Sequence, residues 1–212
     1  MRSESLKIGV IGAGAWGTAL ARLLANNGSS VQLWCHEAET SQDILTNHLN
    51  SSFLADIPLP ETLGASTDLG EVVRNCRILV ASVPSHFTRD IAKKMRPEIT
   101  DEHIIVILSK GIEQHSLALM SEIYANELDN LPKLAVLSGP TFAREVALDL
   151  PSAAVLACAD EETGSLLQKY FHSARFRLYR STDLIGVQLA GAIKNVIAIA
   201  SGIADGMQLG LN

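Results

Sequence analysis

Three glycines near the start of the chain restrict its fold more than any other feature. The apolar run Lys7-Ile8-Gly9-Val10-Ile11 ends in Gly12-Ala13-Gly14-Ala15-Trp16-Gly17, and the small-residue pattern Thr18-Ala19-Leu20-Ala21-Arg22-Leu23-Leu24 follows directly. That order predicts a strand, a tight turn and a helix. Gly12 permits the turn, Gly14 leaves bare backbone for a pyrophosphate, and Gly17 lets the helix pack close to its strand. The helix would aim free N–H groups and the positive end of its dipole at the phosphates. A second strand, Val31-Gln32-Leu33-Trp34, comes after Gly28 and completes a strand-helix-strand unit. A glycine turn alone is also found in non-binding units; this context points to a dinucleotide.

At 212 residues the chain suits one large domain, or one domain and part of another. Its net charge of −6 excludes a broad basic field for nucleic acid, so any phosphate site must be local. Cys35, Cys76 and Cys158 are far apart and form no CxxC pair, so they are expected to be reduced thiols, with no zinc. Met1-Arg2-Ser3-Glu4-Ser5 leads into the first strand without a signal-peptide pattern, so a cytoplasmic location is expected.

The tip of the second strand is Cys35-His36, with Glu37 next. An acid at this tip would hold a ribose 2′-hydroxyl. Here His36 could meet a 2′-phosphate, which favours NADPH; in the other reading His36 is solvated and Glu37 reaches the ribose of NADH. Residues 38–49 read as helix and 50–63 as loop, in which Phe53 lines the adenine side or plugs the core. Asp68 caps a short helix through Asn75. Residues 77–83 form a continuous apolar strand, covered on both faces, that stops at Pro84-Ser85-His86-Phe87. Ligands of open parallel sheets lie beyond the strands' carboxyl ends, so Phe87 is a candidate cofactor contact or a core residue. Residues 104–109 end at Lys110-Gly111, and 134–138 end at Gly139-Pro140-Thr141-Phe142-Ala143, two further loops at strand ends. Lys110 is well placed there, Gly139 would give close backbone access, Thr141 offers a hydroxyl and Ala143 leaves room. Ser152–Cys158 and Arg175–Tyr179 are strands around a helix from Glu161 to His172.

Residues 184–204 are almost wholly apolar and long enough to cross a membrane. Lys194 near the middle opposes insertion, at a cost of roughly 2.5–3.5 kcal/mol. A buried helix of a soluble protein, with no membrane insertion, is the expectation. Lys194, the run's one ionisable group, should then face a cleft or shift its pKa.

Taken together, Gly12–Gly17, Val83-Pro84-Ser85-His86, Ser109-Lys110-Gly111, Ser138–Ala143 and Gly191-Ala192-Ile193-Lys194-Asn195-Val196 resemble, in order and spacing, the bacterial type of NAD(P)-dependent glycerol-3-phosphate dehydrogenase. The resemblance covers essentially the whole chain. It implies cofactor contacts from Ala15, Trp16, His36, Lys110 and Ala143. It implies substrate contacts from Lys110, Gly139, Thr141 and Lys194, with Lys194 the acid/base and Lys110 a second catalytic charge. The partner it implies is a phosphorylated triose or glycerol, used for glycerophospholipid synthesis; a homodimer is compatible with it. The family continues into a helical substrate domain with an Arg-Asn pair, whereas this chain stops at Leu211-Asn212, so the cofactor half is expected to be complete and the substrate half not.

The fold expected is α/β: a doubly wound, mostly parallel Rossmann sheet over residues 1–180, then from 181 to 212 the first long helix of a helical substrate-binding unit. Two other functions stay open at this point. One is a ketopantoate-type or 2-hydroxy-acid reductase, which would share the glycine turn but not Ser138–Ala143. The other is a non-catalytic nucleotide-sensing module.

Overall fold

The computed structural model describes residues 6–129 and 132–210. The expectations for Met1–Ser5 and for the chain end at Leu211-Asn212 lie outside the described residues.

The first strand, β1 (Ile8–Ile11), is buried along its whole length, and α1 (Ala15–Asn26) starts three residues after it, with Gly14 as its N-cap. β2 (Val31–Trp34) pairs parallel to β1, and α2 (Ala38–Asn47) follows. Then come β3 (Gly64–Ser66), α3 (Leu69–Asn75) capped by the Asp68 carboxylate, and β4 (Ile78–Ala81). A 3-10 turn, Ser85–Phe87, leads into α4 (Thr88–Met95), and a second, Arg96–Glu98, follows it. The chain continues through β5 (Ile104–Ile107), α5 (Met120–Glu127), β6 (Lys133–Ser138) and α6 (Ala143–Ala147). It ends with β7 (Ser152–Cys158), α7 (Glu161–Phe171), β8 (Phe176–Ser181) and α8 (Leu184–Gly206).

The strands form one eight-stranded sheet in the order β3-β2-β1-β4-β5-β6-β7-β8. The strand order reverses between β1 and β4, which makes their carboxyl ends the topological switch point. Every pairing is parallel except β6 with β7. The doubly wound, mostly parallel sheet expected from the sequence is therefore the observed one, with an antiparallel step near one edge. Alternate residues of the central strands enter two separate cores: Ile8, Val10 and Val80 on one face, Ile11, Leu79 and Ala81 on the other. Burial on both faces explains why these strands read as unbroken apolar runs. Cys35, Cys76 and Cys158 are free and buried. Burial raises all three thiols, that of Cys35 to about 12 with the Glu37 charge adding, so they are inert neutral core groups.

The antiparallel step sets the course of the last helix. Because β8 runs opposite to β6, its end lies at the opposite edge of the sheet from the glycine turn. From there α8 runs back across β6 and β7 towards the carboxyl ends of the parallel strands. The expectation of a buried helix is corrected here: only Gln188 and Gly191 of α8 are buried. Ile193, Val196, Ile197, Ile199 and Ile203 are exposed, because α8 touches the sheet along one narrow stripe and no described element covers the rest. By length and composition this helix could cross a membrane. Its described contacts are with β6, β7 and α5 and with the loops that carry Lys110 and Phe142.

An ion-pair cluster ties the segment after Lys110 to the helices beside it. Arg89 of α4 donates two bonds to Glu113, from Nε to Oε1 at 2.8 Å and from Nη2 to Oε2 at 2.6 Å, and also pairs with Glu127 of α5. The Arg89 guanidinium, with the Ser116 hydroxyl, lowers the Glu113 carboxyl from 4.5 to about 2. A carboxyl depressed by folding contributes stability that is fully present above its unfolded value and is lost as pH falls through the folded one. Thermal melting between pH 4.5 and pH 2 should accordingly fall more steeply for the wild type than for Arg89→Met. Parallel curves would show that the pair contributes nothing to acid stability.

Candidate active site

The parallel strands β1, β2, β4, β5 and β6 deliver the loops of the site to a single edge of the sheet. At its centre is the turn from Gly12 to Gly17. Gly12 has φ +112, and a Cβ there would lie 2.8 Å from the Ser82 carbonyl at the end of β4. A Cβ on Gly17 would collide with the Gly12 carbonyl oxygen. Both glycines are therefore needed to form the turn itself. Gly14 differs, since a Cβ there would meet nothing within 4 Å. Its bare backbone faces open space at the start of α1, a cradle that suits the pyrophosphate of NAD(P)H. Ala15 and Trp16 are half-buried beside it, and Trp16 packs against both a main core and a smaller cluster of Ala19, Leu54, Ile57 and Ala147.

At the tip of β2, His36 and Glu37 are both exposed, with the His36 ring 6.1 Å from that of Trp34. Phe53 and Phe87 are about half exposed, at 46% and 50%, so neither plugs the core. Phe87 stacks at a tilt on His86, 4.1 Å between ring centres. Ala143 is half-buried at the start of α6, against the same small cluster as Trp16.

Beyond β5, Gly111 has φ +144 and lies against Ser85, so the loops after β4 and β5 are in contact. Lys110 extends from here and donates from Nζ to the Gly139 carbonyl at 2.9 Å. Burial lowers its ammonium below the ordinary lysine range, and the charge of Lys194 lowers it further. Lys194 thus acts electrostatically on Lys110, although the two are 84 residues apart in the sequence. What brings α8 this close is Gly191, where a Cβ would lie 2.7 Å from the Ser138 hydroxyl. Gln188, one turn earlier on the same buried stripe, fixes the helix against α5. It accepts from the Ser121 amide at 3.0 Å and donates to the Ser121 hydroxyl at 2.9 Å. Lys194, one turn beyond Gly191, lines a cavity of about 230 Å³ with Ser138, Gly139 and Pro140. Its Nζ stands 5.8 Å from the centre of the exposed Phe142 ring. Lys194 thus lines this cleft from a helix that is largely exposed rather than buried.

Gly139 has a structural reason beyond access, because its Cβ would lie 2.9 Å from the Ala153 carbonyl. The close β6–β7 approach requires glycine there. Thr141 is half-buried in the following loop.

Lys110, Gly139 and Lys194 are thus brought together, with Thr141 in the adjoining loop; Gly12, Gly14 and Gly17 form the neighbouring turn, and His36, Phe53 and Phe87 stand exposed on loops around it. Sequence reasoning missed Gln188, Ser121 and Asn50. Asn50 is 1% exposed and donates to the Ala13 carbonyl inside the glycine turn at 2.8 Å. An asparagine in a loop reads as a turn former, and its partner is 37 residues away.

A doubly wound sheet with an open glycine cradle at its switch point defines a dinucleotide-binding fold. Comparison with known proteins narrows the class. The family described as NAD-dependent glycerol-3-phosphate dehydrogenase N-terminus matches residues 7–164, and the corresponding C-terminus matches 183–212. The chain belongs to the NAD(P)-dependent glycerol-3-phosphate dehydrogenase family. It is 48% identical over 208 residues to glycerol-3-phosphate dehydrogenase [NAD(P)+] of Citrifermentans bemidjiense, covering 97% of this chain and 62% of that protein. For the Nitratidesulfovibrio vulgaris enzyme the identity is 43%, covering 98% of this chain and 63% of that one. The chain thus spans about three-fifths of the length of these relatives. The crystal structure of the Coxiella burnetii glycerol-3-phosphate dehydrogenase superposes with a TM-score of 0.88 at 38% identity, over 97% of this chain and 63% of that one. A ketopantoate reductase from Ralstonia eutropha shares the fold, with a TM-score of 0.64 at 20% identity over 87% of this chain and 59% of that one.

Proposed function

We propose that the whole protein transfers hydride reversibly between NAD(P)H and dihydroxyacetone phosphate, forming sn-glycerol 3-phosphate for glycerophospholipid synthesis in the cytoplasm. The observation that carries this reading is the meeting of Lys110 and Lys194 at Gly139, on the edge of the sheet that also holds the open cradle at Gly14. In this reading residues 1–180 bind the dinucleotide and 181–212 belong to the substrate-binding unit.

Bound NAD(P)H supplies the hydride from its nicotinamide C4. The open backbone at Gly14 and the start of α1 would hold the pyrophosphate, with Gly12, whose N–H donates to the Trp34 carbonyl, and Gly17 shaping the turn and Ala15, Trp16, Phe53, Phe87 and Ala143 as walls. As C2 of the ketone gains its new C–H bond, the carbonyl oxygen becomes negative. Lys194 as ammonium stabilises that oxygen and donates the proton that completes the alcohol. In the oxidising direction neutral Lys194 takes the proton back. Lys110, held by the Gly139 carbonyl, places a second positive charge beside the reacting oxygen and the phosphate. The Thr141 hydroxyl and the Gly139 backbone supply polar contacts for the substrate.

The test is oxidation of NADPH and NADH by the whole protein with dihydroxyacetone phosphate and, separately, with ketopantoate. Turnover of the triose phosphate is expected. Turnover of ketopantoate alone would assign the related reductase activity. Tight nucleotide binding with no turnover of either ketone would make the protein a nucleotide-sensing module.

The tip of β2 supports NADPH as the preferred cofactor. A 2′-phosphate needs a donor or a positive charge, and His36 stands exposed there with no acid before it. His36→Asp should weaken NADPH binding more than NADH binding in fluorescence titrations. Equal losses for the two would remove His36 from cofactor selection.

A further inference from the structure

The glycine turn is braced from outside its own strand-helix unit. Asn50 is 1% exposed and Thr18 fully buried, and the two converge on a single carbonyl. Asn50 Nδ2 donates to Ala13 O at 2.8 Å and to Thr18 Oγ1 at 2.8 Å, using both of its hydrogens. Thr18 Oγ1 donates in turn to Ala13 O at 3.2 Å. Asn50 Oδ1 accepts from the Phe53 amide at 3.2 Å, and its backbone carbonyl accepts from the Leu54 amide at 2.9 Å. Leu54 is buried in the cluster that includes Ala19 and packs on Trp16 and Ala143. Every polar group of the Asn50 side chain is used, and its backbone carbonyl is tied to a residue anchored on α1.

The carbonyl held in this way belongs to the peptide that also carries the Gly14 N–H. A trans peptide is planar, so its C=O and N–H point in opposite directions. Pinning Ala13 O inwards on Asn50 and Thr18 therefore turns the Gly14 N–H outwards. A Cβ on Gly14 would meet nothing within 4 Å, so space beside this peptide is open. Left free, this peptide could rotate, since glycine tolerates many backbone conformations.

We propose that Asn50 is a positioning residue for the dinucleotide: it fixes the Ala13–Gly14 peptide so that the Gly14 N–H is preorganised towards the pyrophosphate. The same hydrogen-bonded turn holds Phe53 outwards at the rim of the site. This rests on the reading of the glycine turn as the dinucleotide site.

The test is fluorescence titration of wild type, Asn50→Ala, Asn50→Asp and Thr18→Val with NADPH and with NADH, beside thermal melting and steady-state kinetics. The Asn50 variants should lose about tenfold in affinity, the scale of one or two hydrogen bonds, and equally for both cofactors because the pyrophosphate is common to them. The KM for the cofactor should rise while kcat at saturating cofactor stays near the wild-type value, a split that simple loss of folded protein would not give. Thr18→Val removes one arm of the triangle without changing side-chain volume, and should lose about threefold. If the Asn50 variants do not fold, Thr18→Val decides: unchanged affinity overturns the proposal. Folded Asn50 variants with a lower melting temperature but wild-type affinity would also overturn it, leaving Asn50 as a brace for its own loop. Wild-type protein that binds neither dinucleotide would remove the reading of the turn itself, and this proposal with it.

Discussion

Lys194→Met should lower kcat/KM for dihydroxyacetone phosphate by about 10²–10⁴-fold, the usual scale for losing a general acid. Loss of charge stabilisation at the developing alkoxide should add to this. The substitution roughly conserves volume and keeps the helix. α8 is held by Gln188 on Ser121 and by Gly191 against Ser138, neither of which involves the Lys194 side chain. Dinucleotide affinity should therefore be nearly unchanged, which separates a catalytic loss from a folding loss. Lys194→Arg should not restore the rate, because guanidinium is bulkier and cannot act as a base near neutral pH. Steady-state turnover and NADPH titration on the same variant decide the matter. Near-normal turnover in Lys194→Met would reduce Lys194 to a packing residue and leave Lys110, on the Gly139 carbonyl, as the remaining proton donor.

Gly14→Val should abolish measurable NADPH and NADH binding while the sheet stays folded. The three glycines of the turn differ in what they face. At Gly12 a side chain meets the Ser82 carbonyl and a φ of +112, and at Gly17 it meets the Gly12 carbonyl, so substitution at either should distort the turn itself. At Gly14 the space is open, so a valine side chain costs the apo fold little and occupies the volume proposed for the pyrophosphate. Far-UV circular dichroism and melting should match the wild type, with no fluorescence change on titration with reduced cofactor. Unchanged affinity in a folded Gly14→Val variant would move the binding site away from this turn.

The difference between these glycines bears on what the sequence could reveal. The strand-turn-helix at Gly12–Gly17 was legible because spacing and local burial alone produce it. The central strands were legible because burial on both faces leaves unbroken apolar runs, although the strands proper end two residues earlier than the runs at Ala81 and Ile107. β3 escaped notice: Gly64–Ser66 is only three residues long and carries no apolar periodicity. α4 and α5 did carry a signal, with buried Thr88, Ile91, Ala92 and Met95 in one and Met120, Ile123 and Tyr124 in the other at helical spacing. Charged residues between them dilute that pattern.

The candidate site divides in the same way. Lys110 and Gly139 were accessible through the rule that ligands gather at strand carboxyl ends, and Lys194 through its isolation in an apolar run. Their meeting depends on the antiparallel β6–β7 step, which returns α8 towards that edge and which no residue pattern announces. The exposure of α8 was misread for a related reason: apolar composition shows a tendency towards burial but not which element provides the cover. Contacts such as Asn50 with Ala13 and Gln188 with Ser121 join residues 37 and 67 positions apart, and each is a polar residue whose local sequence fits an ordinary loop or helix.

If the glycine turn and the Lys110–Lys194 cleft form one hydride-transfer site for a triose phosphate, the hydride must pass directly from the cofactor to C2 of the ketone. The most direct measurement is to supply the whole protein with dihydroxyacetone phosphate and NADPH deuterated at the transferable C4 position, then locate the label by mass spectrometry. Deuterium is expected at C2 of the glycerol 3-phosphate formed, with none lost to solvent. Glycerol 3-phosphate formed without the label, or cofactor oxidised without transfer to C2, would contradict a single hydride-transfer site.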